Sequence, residues 1–278
     1  IALWQKVFGF LSKEFPEAAM VSEWGEPDKS LQGGFHMDFY LDHYGNGYST
    51  LFRYLVDDEN KSFFSDNAQG ELTTFLKEYL ENYPATKDNG YICFMTNNHD
   101  MPRATFYMSN EMIKLTHAFM MTMPGVPFVY YGDEIGMRYQ TGLVSKEGGY
   151  SRTGSRTPMQ WDSSKNLGFS TADEAMLYLP VDKSEDAPTV ENNKGVEGSI
   201  YENLKTLIAL RHENAELANG SEFELVSAEK GENLLVYKRG SFTVCINVSK
   251  DEKVVELDKK ASVVFALGEY DLTDGKLT

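Results

Sequence analysis

Cysteine is nearly absent from this chain: Cys93 and Cys245 are the whole complement, and they stand far apart. That excludes a disulfide framework of the small secreted kind and any thiolate cluster at metal-ligand spacing, leaving two buried thiols as the expectation. Two such thiols do not decide the compartment, for which cytoplasm is favoured over secretion. Positive charge is also in deficit, with 26 Lys and Arg against 42 Asp and Glu and a formal net charge of −16. No basic run occurs, which argues against nucleic acid and anionic membrane surfaces as partners and leaves a neutral substrate allowed. Long apolar runs are missing, so no membrane span is expected. The opening Ile1-Ala2-Leu3-Trp4-Gln5-Lys6 reads as a helix rather than a signal peptide. A chain that begins in mid-helix is expected to be a piece of a longer polypeptide. There is neither an internal repeat nor a low-complexity tract. What is present suffices for a globular fold: 278 residues, 41% of them hydrophobic, can bury the core of one large or two modest domains.

The most informative stretch is 91–103. A short apolar run over 91–95 stops at Asn97-Asn98-His99-Asp100, as a buried parallel strand does when it delivers polar side chains to the open end of a sheet. Met112, Leu115, Phe119, Met120 and Met123 then recur at helical spacing until Pro124-Gly125 ends the helix. A second apolar strand over 126–131 runs into Gly132-Asp133-Glu134. Two strand-to-acid transitions joined by one helix make a βαβ unit, whose ligands bind at the carboxyl ends of the strands. A third transition lies upstream, where a short strand over 18–21 ends at Ser22-Glu23-Trp24-Gly25. Taken alone, His99-Asp100 also reads as a loop in which the Asp caps a turn and the His is merely solvated.

Leu3, Trp4, Val7, Phe8 and Leu11 share one face of a helix over 1–13 that ends before Pro16. The stretch 34–41 alternates as a strand, with His36 and Asp38 opposite Phe35, Met37 and Phe39. A weak helix over 48–56 is expected between the first two strands, and Leu72, Phe75, Leu76, Tyr79, Leu80 and Tyr83 mark a clean helix before 91. The order is that of an alternating α/β fold with four strands. Residues 138–198 are polar without a sustained period and are expected to form a long excursion over the catalytic face. Helical spacing resumes over 199–214. From Ser221 onward, short strands over 223–226, 234–238, 242–248, 253–257 and 262–266, most of them separated by turns such as Gly231, Gly240 and Gly268, predict an antiparallel domain.

Asn98-His99-Asp100-Met101-Pro102-Arg103 resembles the Asn-His-Asp-x-x-Arg segment that ends the seventh barrel strand in the α-amylase family, glycoside hydrolase family 13. Pro124-Gly125-Val126-Pro127-Phe128-Val129-Tyr130-Tyr131-Gly132-Asp133-Glu134-Ile135-Gly136-Met137 is similar to the eighth strand of that family. Gly154-Ser155-Arg156-Thr157-Pro158-Met159-Gln160-Trp161-Asp162 resembles a segment of its oligosaccharide-acting α-glucosidases and trehalose-forming members. The resemblance implies an α/β fold: the second half of a (β/α)8 TIM barrel, strands five to eight, over 1–217, then a small antiparallel β-sandwich over 218–278 with a structural role. It also implies retaining cleavage of α-glucosidic bonds, in which an acid protonates the leaving oxygen and a carboxylate meets the oxocarbenium-like charge. Glu23 matches the family's general acid/base and Asp100 its transition-state stabiliser. His99 matches the histidine that binds sugar hydroxyls, and Trp24, Arg103 and Arg156 complete the expected substrate-binding set. Asp133 and Glu134 match a strand end that supports the site. Read from the residues alone, other roles stay open: Glu23 as a surface acid, Asp100 as the group that orients His99, Arg103 as the partner of a carboxylate near the site or as a surface arginine, Trp161 as a packed loop anchor.

The family's nucleophile is an Asp in a Gly-Phe-Arg-x-Asp segment, and no such segment occurs here. By resemblance it belongs just before Ile1, since 1–13 looks like the helix after the fourth strand. The chain by itself is therefore expected to be silent. It is expected to associate with a polypeptide carrying the first four strands, or with a copy of itself, through inward faces around Met20, Phe39, Phe94 and Phe128. No cofactor and no metal are expected in this chain, though a structural calcium in a preceding N-terminal part fits the family pattern. The expected substrate is an α-glucan or oligosaccharide, with short α-glucosides, α-1,6-linked ones included, preferred over starch. A transglycosidase or isomerase such as a trehalose synthase is the alternative chemistry, and a non-catalytic carbohydrate-binding member the alternative class. The joint retention of Glu23, His99 and Asp100 favours an active enzyme.

Overall fold

The computed structural model of the chain describes residues 1–41, 47–52, 62–66, 70–145 and 152–278. Four short strands, β1 (Val21–Ser22), β2 (Met37–Phe39), β3 (Tyr91–Phe94) and β4 (Val126–Pro127), form one sheet in the order β1-β2-β3-β4. All three pairings are parallel, with Val21 beside Met37, Met37 beside Tyr91, and Cys93 beside Val126. The helices are α1 (Ala2–Glu14), α2 (Pro27–Gly33), α3 (Ser49–Phe52), α4 (Thr73–Thr86), α5 (Asn110–Thr122) and α6 (Ile200–Glu213). Among the described residues no helix is long and apolar enough to cross a membrane.

One expected order needs correcting. The helix between the first two strands is α2, which opens on Pro27 and closes on Gly34 in the left-handed conformation, φ 106°. Seven residues are too few to show a helical period, so its caps are its only sequence signal. The weak helix expected over 48–56 follows β2 instead, as α3, and residues 53–56 lie outside the described residues.

Helix α5 is fastened at both ends. Ser109 caps its start by accepting from the Met112 amide at 3.3 Å, with Glu111 in the first turn. At its other end the guanidinium of Arg211, from α6, donates to the carbonyls of Met121, Met123 and Gly125 at 2.7, 3.0 and 2.6 Å. Arg239 donates to the Thr122 carbonyl at 2.6 Å. Two buried cations thus sit on carbonyls that the helix cannot satisfy internally, where its dipole is negative.

Residues side by side in register point to the same side of a sheet. One side carries Ser22, Asp38, Tyr40, Ile92 and Phe94, all buried. Phe94 lies there among aromatic rings, 5.9 Å from Tyr48, 5.9 Å from Tyr79 and 6.0 Å from Phe119. The other side carries Val21, Met37, Phe39, Tyr91, Cys93, Val126 and Phe128, of which Cys93 alone is buried. Phe94 was expected on this inward face, but its parity in β3 puts it on the opposite, helix-covered side. Phe39 and Phe128 do share the inward side and meet edge to face at 4.6 Å, while Met20 sits half-buried just ahead of β1. On α1 the expected apolar face is covered around Phe8, whose ring packs 4.6 Å from Phe35, while Leu3 stays 72% exposed.

The C-terminal part holds two antiparallel three-stranded sheets. In the first, β5 (Phe223–Ser227), β6 (Leu234–Arg239) and β7 (Phe242–Asn247) run as a meander. In the second, β10 (Lys276–Leu277) lies between β8 (Val255–Glu256) and β9 (Leu272–Thr273). Leu235, Tyr237, Ile246 and Val248 join the same core cluster as Phe94 and Phe119, so the meander is packed onto the α/β part. The strand expected over 262–266 is absent: Phe265 packs instead against Met121, Leu204 and Leu207 of α5 and α6, with Val264 turned to solvent. Both cysteines are free, Cys93 buried and Cys245 half-buried.

Candidate active site

Glu23 follows β1, and His99 with Asp100 follows β3, so the three side chains leave the same end of the sheet from strands two places apart. They converge. His99 Nε2 lies 3.8 Å from Glu23 Oε1 and 3.4 Å from Asp100 Oδ2, and one ligand atom from each residue falls within 4.8 Å of the others. The His99 distances are too long for hydrogen bonds, so the carboxylate of Glu23 stays available to a substrate. All three side chains are about half exposed, which leaves the cluster open to a ligand.

The long excursion after β4 reaches back over this cluster. Arg152 NH1 and Arg156 NH2 both donate to Asp100 Oδ1, at 2.7 and 2.8 Å, and Arg156 Nε donates to the His99 carbonyl at 2.8 Å. Partial burial pushes the Asp100 carboxyl up, but the hydrogen bond from Arg152, the adjacent His99 and the hydrogen bond from Arg156 outweigh it and hold the group below the ordinary carboxylate range. Asp100 is therefore an anion that can meet positive charge and is poorly suited to carry a proton. Its two arginine partners also oppose a cation, which makes the trio of Glu23, His99 and Asp100 an unfavourable metal site despite its geometry.

A buried cluster supports the loop from beneath. Asp133 accepts from Asn97 Nδ2 at 2.7 Å and Thr96 Oγ1 at 3.1 Å, and Arg103 NH1 lies 3.4 Å from its other oxygen. Arg103 also donates to the Tyr131 carbonyl at 2.7 Å, its guanidinium stacked 5.0 and 4.8 Å from the rings of Tyr130 and Tyr131. These bonds join the end of β3 to the segment after β4 and so fix where His99 and Asp100 project. Burial pushes the Asp133 carboxyl up to about 7, against the opposing charge of Arg103 and the bonds from Thr96 and Asn97.

Several expectations change here. Arg103 is wholly buried, so it neither binds substrate nor sits on the surface; of its expected roles, pairing with a carboxylate near the site is the one that fits, the partner being Asp133, and it also holds the Tyr131 carbonyl. Arg156 reaches the site, with its donors engaged on His99 and Asp100. Trp24 is half-buried and its indole N–H donates to Glu26 at 3.0 Å. Trp161 is not the anchor of its segment, being 50% exposed, whereas Gln160 is buried and bonds the Pro188 carbonyl. Tyr131 and Tyr130 bolt that segment down through the carbonyls of Thr157 and Ser155, at 2.7 and 3.2 Å. Arg152 was not singled out from sequence; its spacing of four from Arg156 is the one signal that could have marked it.

The α-amylase catalytic-domain model matches residues 2–220. A salivary α-glucosidase of Aedes aegypti is 32% identical over 216 residues, covering 73% of this chain and 35% of that protein. A trehalose synthase/amylase of Mycobacterium tuberculosis is 35% identical over 157 residues, covering 52% of this chain and 25% of that protein. Among solved structures, an α-amylase from H. orenii superposes with a TM-score of 0.71 at 20% identity, covering 99% of this chain and 53% of that one. The chain thus spans about a third or less of those two curated relatives and about half of the solved amylase.

Proposed function

This chain belongs to the α-amylase family, as the C-terminal portion of its barrel with a β domain, and from that premise we propose that it supplies the general acid/base and the charge-stabilising carboxylate of a retaining α-glucosidase. Glu23 protonates the glycosidic oxygen as it leaves and later draws a proton from the attacking water. Asp100, kept anionic by Arg152 and Arg156, meets the charge that develops at the anomeric centre, and His99 donates to the sugar hydroxyls beside it. The reading is carried by one observation: Glu23 after β1 and His99 with Asp100 after β3 bring one ligand atom each within 4.8 Å of one another.

Hydrolysis by this route also needs a nucleophilic carboxylate roughly 5 Å from the acid. The closeness of Asp100 to Glu23 would suit that role, but its Oδ1 is taken by two guanidiniums. The 278-residue chain is therefore silent alone, and becomes competent with a polypeptide that carries the first four strands and a Gly-Phe-Arg-x-Asp segment. Short α-glucosides are its substrates, the described part of the excursion closing one side of the site through Arg152 and Arg156. In the competent form Glu23→Gln abolishes turnover of maltooligosaccharides by orders of magnitude and spares aryl glucosides with good leaving groups. Wild-type turnover by that variant removes Glu23 from the role.

A second chemistry, transfer in place of hydrolysis, is favoured by the 35% identity to a trehalose synthase/amylase. Maltose incubated with the competent form and followed by NMR separates the two: glucose marks hydrolysis and trehalose marks transfer.

A further inference from the structure

Glu23 has a surprisingly sparse environment for a group with so directional a task. Its side chain is 50% exposed, with the His99 imidazole 3.8 Å away. What aims it must therefore be the backbone on which it rides. That backbone is gripped on both sides by one buried carboxylate. Asp38, fully buried on β2, accepts from Ser22 Oγ at 2.5 Å, the Trp24 amide at 3.1 Å and the Gly25 amide at 3.4 Å through Oδ1, and from the Glu26 amide at 3.0 Å through Oδ2.

We propose that Asp38 is a positioning residue that aims Glu23 at the glycosidic oxygen, a reading that rests on Glu23 as the acid. Three successive amides, 24 to 26, curl around its carboxylate to form an anion nest. Gly25 makes the curl feasible, since its φ of 80° is strained for any side chain. Among the described residues no Lys or Arg forms an ion pair with Asp38, so the nest and the Ser22 hydroxyl supply its compensation. A buried charge held this way is costly to misplace. It therefore fixes the path of residues 22–26, the start of α2, and with them the direction in which the intervening Glu23 leaves β1.

An amide at position 38 presents N–H groups where the Glu26 amide needs an acceptor, so Asp38→Asn opens the nest at one end. In the competent form this variant loses about tenfold to a hundredfold in kcat on maltose with KM nearly unchanged, the loss that a displacement near 1 Å brings. On a nitrophenyl α-glucoside, whose leaving group needs little protonation, the loss is several-fold smaller. Adding Asp38→Asn to Glu23→Gln removes no further leaving-group preference. In the 278-residue chain, amide exchange at 24–26 rises in Asp38→Asn while that of 92–94 does not. Equal losses on the two substrates, or unchanged exchange at 24–26, overturn the inference. Should Asp38→Asn fail to fold, Ser22→Ala removes one of the four bonds to Asp38, along with a long contact to the Met37 carbonyl, and must show the same substrate bias at smaller size; equal losses in that variant also overturn it. Failure of the acid assignment shows elsewhere, as a Glu23→Gln variant that still cleaves maltooligosaccharides.

Discussion

The two faces of the parallel sheet are built from similar residues and live in different surroundings. The outer face sets Tyr40, Ile92 and Phe94 into an aromatic layer under α3, α4 and α5, where each is at most 3% exposed. The inner face offers Val21 and Tyr91 at 40% and 45% exposure and half-buries Met37, Phe39, Val126 and Phe128. In a closed eight-stranded barrel the inward residues fill the interior in layers. Here four strands leave all of them but Cys93 partly in water. Apolar identity thus says that a strand residue wants cover, and parity decides whether this chain can provide it.

The comparison breaks most clearly in a pair of truncations. Phe94→Ala opens a cavity among fixed aromatic rings and should cost about 3–5 kcal/mol in urea unfolding. Phe39→Ala removes a ring already partly wet and should cost about 1 kcal/mol. Equal costs, rising with protein concentration, would mean that a second copy covers the inner face.

Next in size is a pH effect in the outer layer. His117, in α5, is fully buried, and burial pushes its imidazole down to about 4 from 6.5. A depressed histidine binds fewer protons folded than unfolded between those values, so stability is lost as pH falls from 6.5 through 4, by about 3 kcal/mol. Asp133 works in the other sense. With its carboxyl raised to about 7, its contribution is present below the ordinary carboxylate range and lost as pH rises through 7. Over the shared window the two oppose each other. His117→Leu should leave stability falling from pH 4 to 7, and Asp133→Asn should leave it rising from pH 4 to 6.5, both read by thermal unfolding. Flat profiles in both variants would contradict the burial of these groups.

Arg211→Met takes a donor from three carbonyls at and just beyond the end of α5, of which, among the described residues, Gly125 alone keeps another, from Asn219, and should cost about 1.5–3 kcal/mol in urea unfolding, with hydrogen exchange rising first in 121–125. The smallest effect belongs to the inner face: Val21→Thr should stay within about 0.5 kcal/mol of the parent in this chain. The same change should weaken assembly with the first four strands, measured by light scattering, because there the side chain would be covered.

Much of this architecture is legible in local signals. Ser109 and Pro124-Gly125 bracket α5, Ser199 caps α6, and the apolar runs at 91–95 and 126–131 end where the strands hand over to loops. The three acids at strand ends come from the same reading. The two-residue β9 and β10 were not legible, because alternation needs more residues than they contain. Nor were the partners of Arg103: a motif can mark an arginine that pairs with a carboxylate, but the tyrosine rings and Asp133 that bury it arrive from 27 to 30 positions along the chain, at Tyr130, Tyr131 and Asp133.

By itself the sequence determined the alternation of helix and strand, the family, and the residue types at each strand end, because these follow from caps, periods and short motifs within a turn or two of chain. The tertiary structure decided which neighbours those residues meet. Asp38 grips the turn after Glu23, Arg152 and Arg156 keep Asp100 anionic, and Phe94 faces the helices. Each depends on contacts between segments remote in sequence or on the side from which a strand is packed, and a hydrogen bond or a burial acts over a few ångströms of space whatever the separation along the chain.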